Sequence, residues 1–365
     1  MRRNGAWCVR VDVGVDPLTG SRRQLSRQGF RTKREATAAL NVLLVEQVRP
    51  PLVLGVTVAG YLDGWLERVR HDVRASTLVA YRNAVSHVVA GLGHVSLGSL
   101  AARQVQGWQR ALFDERGLSP KTVANVHAVL HRALADAVRL ELLDRNVASF
   151  VDPPRAQRRE LTVWTVEELR CFLDASRQHR LYSALVLLAT TGMRRSELLG
   201  LQWCDVDLEG RAVSIRRAVT VVEGRVEVGA PKTATSRRLV ALDATTTVVL
   251  ASRSAATAAG SVWVLPGERD GPLNPASYSA SFDRLVARAG VPRIRVHDLR
   301  HTYATVALRA GVHPAVVSER LGHASVAITL DVYSHVVPGM RREAADEVAA
   351  LLFADSASCA GGSGG

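Results

Sequence analysis

Hydrophobic and polar positions alternate strictly near the start of the chain. Trp7, Val9, Val11 and Val13 fall on one side of an extended segment, the period-two signature of a half-buried strand. Asp16-Pro17-Leu18-Thr19-Gly20 supplies a turn, and a second extended segment runs on to Phe30, so a small sheet is expected. The period then changes. Thr32 and Glu35 have the spacing of a capping box, and Ala36, Leu40, Leu43 and Leu44 mark the apolar side of a helix reaching about Val48.

From residue 56 to 150 the pattern is helical throughout. Val79, Val85, Val88 and Val89, then Val123, Val126, Val129, Leu130, Leu134 and Val138, recur at helical spacing and form the expected core of a compact bundle. Ser76 and Ser119 read as N-caps, Pro120 as a first-turn residue, and Gly91, Gly93 and Gly117 as helix ends. His127 and His131 stand four apart, which could suit a metal, but with no third ligand nearby they read as part of a solvated face; His87 and His94 likewise lack ligand partners.

Past Pro153-Pro154 and the polar run Arg155 to Glu160 both periods occur. Thr165 and Glu168 make a second capping box, and Tyr182 to Thr190 is apolar enough to be a helix buried at the centre of a domain. Thr191-Gly192 turns into a new helix. Residues 212 to 242 alternate as strands around Glu223-Gly224 and Pro231-Lys232-Thr233, and Arg295 to Val337 forms three helices ended by Gly311 and Gly322. Proline pairs at Pro50-Pro51 and Pro153-Pro154 mark the joints. The fold class is therefore multidomain α+β, with blocks at 1–50, 56–150 and 158–345 and a C-terminal segment, 346–365, that ends in a flexible Gly/Ser-rich tail.

Composition narrows the partner. A chain of 365 residues, 47% hydrophobic, has material for more than one core and offers no run of ~20 apolar residues to span a membrane. Its formal charge is +13, with every block but the tail basic, which points to a polyanion and to nucleic acid first. No apolar stretch follows the basic N-terminus, so a cytoplasmic, DNA-associated location is expected. Cys8, Cys171, Cys204 and Cys359 lie too far apart for a disulfide framework or a structural zinc site. Arg22, Arg23, Arg27 and Arg31 decorate the first sheet, and a sheet with a helix behind it and arginines in front can lie in a DNA groove. Of the 47 basic residues, Lys33, Lys121 and Lys232 alone are lysines. Any position that needs an amine able to lose a proton must come from these three.

One set of residues has the makings of chemistry. His297-Asp298-Leu299-Arg300-His301 puts His297 and Arg300 on one face at a helix start, Leu321-Gly322-His323 places another imidazole at a helix start, and Tyr333 follows in an apolar helix. Arg194 sits in the turn after Gly192. Taken singly, each has an ordinary structural explanation. Together they supply what a phosphodiester needs if it is cut without metal: two guanidiniums for the non-bridging oxygens, two imidazoles to move or hold protons, and a phenol to attack phosphorus. No carboxylate cluster suggests a Mg²⁺ site, and no cofactor is implied.

At these motifs the chain resembles the tyrosine recombinases of the phage and integrative-element integrase type, over residues 1 to 345. The family's T-G-x-R-x-x-E-L is matched by Thr191 to Leu198, its H-x-x-R by His297 and Arg300, its L-G-H by Leu321 to His323 and its nucleophile by Tyr333. The resemblance implies catalytic roles for Arg194, Lys232, His297, Arg300, His323 and Tyr333, with Glu197 and His301 in support. Lys232, in Pro-Lys-Thr, fits the family's hairpin lysine as proton donor to the 5′-hydroxyl. It further implies an arm-type DNA-binding domain over 1–50, a SAM-like helical core-binding domain over 56–150 and a mixed α/β catalytic domain over 158–345. DNA contacts are expected at Arg22, Arg23, Arg27 and Lys121. The implied partners are core-type and arm-type attachment sites on double-stranded DNA, other copies of the chain in a synaptic tetramer, a host DNA-bending protein and an excisionase. Ala344, Val348, Leu351 and Leu352 give residues 341–353 an apolar side that could pack on a neighbouring subunit or on its own domain.

Three other readings share part of this pattern. A type IB topoisomerase would share the cleavage chemistry without pairing two sites, but the basic N-terminal sheet favours recombination. A non-catalytic regulator with a helix-turn-helix at Pro314 to Val337 leaves Arg194, Lys232 and Tyr333 without a role. A metal hydrolase built on His297-Asp298 lacks further ligands.

Overall fold

The computed structural model describes residues 2–3, 6–15, 22–47, 55–155, 162–231, 237–256, 261–267, 271–333 and 349. It divides into two compact units, Met1–Arg158 and Arg159–Gly365. Within the first, β1 (Arg2–Arg3), β2 (Ala6–Val15) and β3 (Arg22–Phe30) form an antiparallel sheet in that order, followed by α1 (Lys33–Gln47). Half of the expected capping box forms: Glu35 N donates to Thr32 Oγ1 at 3.2 Å, while the Glu35 carboxylate accepts from Arg31 N at 3.1 Å, one residue before the cap. Val9, Val11 and Ala36 make a small core flanked by Trp7, Phe30 and Leu40, which is the stripe expected from the alternation.

The register corrects one expectation about the arginines. Arg27 stands opposite Val9, and directly opposed residues of an antiparallel pair share a face. Arg27 is thus exposed on the outer strand of the face that carries the apolar cluster, whereas Arg10, opposite Ser26, is exposed on the polar face. The side chains of Arg22 and Arg23 lie outside the described residues.

Four helices follow in this unit: α2 (Val58–Val69), α3 (Ala75–Leu92), α4 (Ala102–Asp114) and α5 (Pro120–Arg139). Their core contains Leu62, Trp65, Val85, Val88, Val105, Val123, Leu130 and Leu134. Ser119 caps α5 by accepting from Thr122 N at 3.2 Å, with Pro120 as the first helical residue. Ser76 does not cap α3. The N-cap lies two residues earlier, at extended Arg74, whose carbonyl accepts from both Thr77 N and Leu78 N. Val89 is 38% exposed, so the buried stripe of α3 runs through Ala84, Val85, Val88 and Leu92 instead. Gly91 lies inside the last turn of α3, where any Cβ would strike the Trp108 ring. His127 is buried rather than on a solvated face, because Gln109 Nε2 reaches its Nδ1 at 2.6 Å between α4 and α5. His131 is exposed and bonds Ser149 Oγ at 3.0 Å.

The second unit begins with α6 (Val166–Ala175), capped by the reciprocal Thr165–Glu168 bonds. Buried α7 (Tyr182–Thr191) runs through its centre, and α8 (Arg195–Leu199) follows after a left-handed turn at Gly192. β4 (Val206–Asp207), β5 (Ala212–Ile215), β6 (Ala218–Val222), β7 (Arg225–Gly229) and β8 (Arg238–Ala241) come next. β6 and β7 form a hairpin whose Glu223-Gly224 corner has φ of 48° and 79°, the left-handed pair of a type I′ turn. β8 pairs with β5 and not with β7, so the sheet order is β4-β5-β8. The expected turn at Pro231-Lys232-Thr233 therefore connects two different sheets, and residues 232–236 lie outside the described residues. The described elements continue with α9 (Ala244–Ala255), α10 (Pro275–Ala289), α11 (Val296–Arg309), α12 (Pro314–Leu321) and α13 (Val326–Tyr333). Trp164, Phe172, Leu185, Tyr278, Phe282 and Leu299 anchor one continuous core around α7.

Candidate active site

The site is organised by the end of α7. Gly192 caps that helix at φ +63°, and a Cβ there would collide with Tyr303 Cδ1 of α11 and Leu321 Cδ2 of α12. Both the backbone conformation and the close approach require glycine. The packed turn exposes its carbonyl inward, where it accepts from Arg300 Nη1 at 2.9 Å. Two residues later Arg194 occupies the N-cap position of α8, and Glu197 reaches back to it. One carboxylate oxygen accepts from Arg194 N at 2.9 Å and the other from Arg194 Nη1 at 2.7 Å. Arg194 Nη2 also donates to the Gly322 carbonyl at 3.1 Å, tying α8 to the end of α12.

Glu197 is 2% exposed and carries a second guanidinium. Arg238, at the start of β8, donates to both of its oxygens at 3.2 and 2.9 Å. Burial alone would raise the Glu197 pKa; the hydrogen bonds and charge of Arg238, then those of Arg194, outweigh it and hold the carboxylate below its ordinary range. Three guanidiniums, Arg194, Arg238 and Arg300, against one carboxylate leave this cluster a net charge of +2.

The first turn of α11 is fixed from outside. Asp298 accepts from Arg295 N, Nε and Nη2 at 2.8, 2.9 and 2.7 Å. His297 and His301 follow one another on the helix with rings 5.2 Å apart and perpendicular. Desolvation, then His301 and Arg300, push His297 down to about 4, although its outer edge remains exposed. At the end of α12, Gly322 adopts φ +65° and launches His323, whose Nδ1 lies 2.8 Å from Thr329 Oγ1 of α13. Desolvation and the charges of Arg300 and Arg194 push His323 down to about 4 as well. His301 is lowered mainly by burial. These imidazoles are neutral at pH 7 and stand beside cations, a setting that favours an anion.

Arg194, Glu197, His297, Arg300, His301 and His323 thus come together in one place, as the motifs imply. Lys232 lies outside the described residues. Tyr333 is the last residue of α13, on the helix that Thr329 ties to His323, and its side chain lies outside the described ones, as do residues 341–348 and the apolar positions of the C-terminal segment. Lys121 is exposed at the start of α5 in the first unit. Among the described residues no three His, Cys, Asp or Glu side chains gather as a metal-holding group, and no helix is long and apolar enough to cross a membrane. Two arginines, one in the cluster and one beside it, escape the sequence reading. Arg238 and Arg320 look like surface charges, and only tertiary structure shows Arg320 bonding Tyr303 Oη at 2.6 Å and the Ala241 carbonyl at 3.1 Å.

The phage integrase family matches residues 160–339, and an arm DNA-binding domain matches residues 1–47. A tyrosine recombinase XerC-like protein of Caldanaerobacter subterraneus subsp. tengcongensis is 28% identical, covering 96% of this chain and 98% of its own. The ICEBs1 integrase of Bacillus subtilis is 26% identical over the same shares, 96% and 98%. Among solved structures, the Tn1549 transposon integrase in complex with a circular intermediate DNA superposes with a TM-score of 0.71 at 21% identity, covering 80% of this chain and 100% of that one. The match over the unit that holds the arginine and histidine cluster, with relatives spanning nearly the whole length, places the chain in the phage integrase family, the site-specific tyrosine recombinases.

Proposed function

We propose that the protein cuts and rejoins DNA at attachment sites through a 3′-phosphotyrosyl intermediate, without metal or ATP, and so integrates or excises a mobile element. The convergence of Arg194 and Arg300 on the Gly192 turn, with neutral His297 and His323 beside them, carries this reading. A dianionic pentavalent phosphate matches a cluster of net charge +2, and preset guanidiniums stabilise that charge without reorganising. In the reaction the Tyr333 oxygen attacks phosphorus, its proton passes to an imidazole, and the bond to the 5′-oxygen breaks. Lys232 protonates that leaving oxygen. The phosphotyrosine bond conserves the ester's energy, and the reverse attack by a 5′-hydroxyl reseals the strand.

In the same reading residues 1–50 grip arm-type sites, 56–150 form the core-binding domain, and 158–345 perform the chemistry. Solved lambda integrase assemblies, a dimer on a COC' core site and a tetramer on a Holliday junction, share the fold at TM-scores of 0.59 and 0.58. They support a tetramer of this chain on two DNA sites. The test pairs two labelled duplexes, each carrying an attachment site, with a supercoiled plasmid carrying one, all in chelator. Strand exchange between the duplexes is the expected outcome; relaxation of the plasmid with no exchange would instead make the protein a topoisomerase.

A further inference from the structure

A guanidinium keeps its charge at any working pH, so it is buried only where partners compensate the lost hydration. The Arg238 side chain is 7% exposed. Its partners are specific: Nη1 and Nη2 hold the two oxygens of Glu197 at 3.2 and 2.9 Å, and Nε donates to the Arg320 carbonyl at 2.7 Å. Arg194 meets the same carboxylate at 2.7 Å and the Gly322 carbonyl at 3.1 Å. One buried carboxylate therefore joins α8 to β8, and the two guanidiniums it holds also bond the carbonyls of Arg320 and Gly322, on either side of Leu321 and just ahead of His323.

We propose that Arg238 is a positioning residue for strand cleavage, holding Glu197 so that Arg194 presents its guanidinium to the scissile phosphate, and holding the end of α12 so that His323 faces the same phosphate. The inference rests on the reaction proposed above. Arg194 is 33% exposed on its side chain and long enough to adopt many rotamers. Glu197 restricts it only if Glu197 is itself fixed, and its two bonds to Arg194, one from the backbone N and one from Nη1, lie within a single turn of α8 and leave that pair free to move together relative to β8. The bidentate grip from β8 removes that freedom, and planar fork geometry does so where an ammonium could not. β8 also begins just after the segment bearing Lys232, so the same bond fixes the frame from which the lysine departs.

The test is single-turnover cleavage of a nicked attachment site by the full chain with Arg238→Gln, Arg238→Lys, Arg194→Ala and the double variant Arg194→Ala/Arg238→Gln. Each substrate is made with an ordinary scissile phosphate and with a methylphosphonate, which lacks the non-bridging charge that Arg194 neutralises. Misplacement of a reacting group by about 1 Å costs on the order of 10²-fold. Arg238→Gln is accordingly expected to slow cleavage of the phosphate ~10- to 100-fold while site binding stays near the wild-type level. Its deficit should shrink on the methylphosphonate, and Arg238→Gln should slow the Arg194→Ala protein much less than it slows the wild type, the remainder being the share that acts through His323. Arg238→Lys, which keeps the charge without the fork, should fall between Gln and wild type, and it serves for the comparison if Arg238→Gln does not fold. Equal deficits on both linkages, additive effects in the double variant, or wild-type rates in a folded Arg238→Gln protein would each overturn the inference. Absence of any cleavage by the wild type would instead remove the reaction on which it rests.

Discussion

Arg300 donates from Nη1 to the carbonyl oxygen of Gly192 at 2.9 Å, joining α11 to the end of α7 across 108 residues of sequence. A buried guanidinium is thereby oriented by a backbone turn that only glycine can form at this packing. Arg300 comes from the H-x-x-R motif and Gly192 opens the segment bearing Arg194, so one contact sets the two arginines of the proposed phosphate site relative to each other.

Gly192→Ala is expected to destabilise the protein by ~2 kcal/mol or more, since it combines left-handed strain with overpacking against Tyr303 and Leu321. Urea unfolding measures this. A variant as stable as the wild type would show that the turn relaxes without harm.

Glu197→Ala leaves two guanidiniums that shared a buried carboxylate without it. Breaking such an arrangement from one side costs about 3 kcal/mol, and partial exposure of Arg194 puts the expectation toward the lower end. Cleavage should fall further than stability alone explains, because Arg194 loses its anchor. Thermal unfolding and single-turnover cleavage on the same samples check both parts; loss of stability with an unchanged cleavage rate would deny Glu197 its role in placing Arg194.

Much of this site could be read before any coordinates. The helix caps at Thr32 and Thr165, the apolar α7 and the glycines at 192, 311 and 322 are local signals, because backbone sterics and helix ends depend on neighbours in sequence. The motif residues are equally local. Arg238 and the burial of His127 were not legible, because each depends on a partner far along the chain, Glu197 and Gln109. The face of Arg27 was hidden for a related reason: strand register, set by pairing with β2, decides which side of a sheet a residue takes.

His297 and His323 are both held near 4 in the free protein. An unfolded chain protonates its histidines near ~6.5. The depressed folded values therefore make the protein lose stability as pH falls from about 6.5 towards 4, where the folded imidazoles also take up protons. A phosphate beside them raises these values. DNA binding at pH 5.5 is thus expected to take up protons, and at pH 8 to take up almost none. Calorimetry in two buffers of different ionisation enthalpy measures the uptake, and His297→Gln or His323→Gln should reduce it; identical heats in both buffers at pH 5.5 would contradict the assignment.

Lys232→Ala is expected to slow cleavage of an ordinary site by ~10²-fold or more, as loss of a general acid does. A substrate whose 5′-bridging oxygen is replaced by sulfur needs no proton to depart and should recover most of that loss. No recovery would mean that Lys232 grips DNA rather than protonating the leaving group.

The most direct measurement of the central claim is the covalent adduct itself. Full-length protein is incubated in chelator with a nicked duplex carrying its attachment site, and the products are separated by denaturing electrophoresis. A protein–DNA band is expected in the wild type and is expected to disappear in Tyr333→Phe; a band that persists in Tyr333→Phe would rule out Tyr333 as the nucleophile.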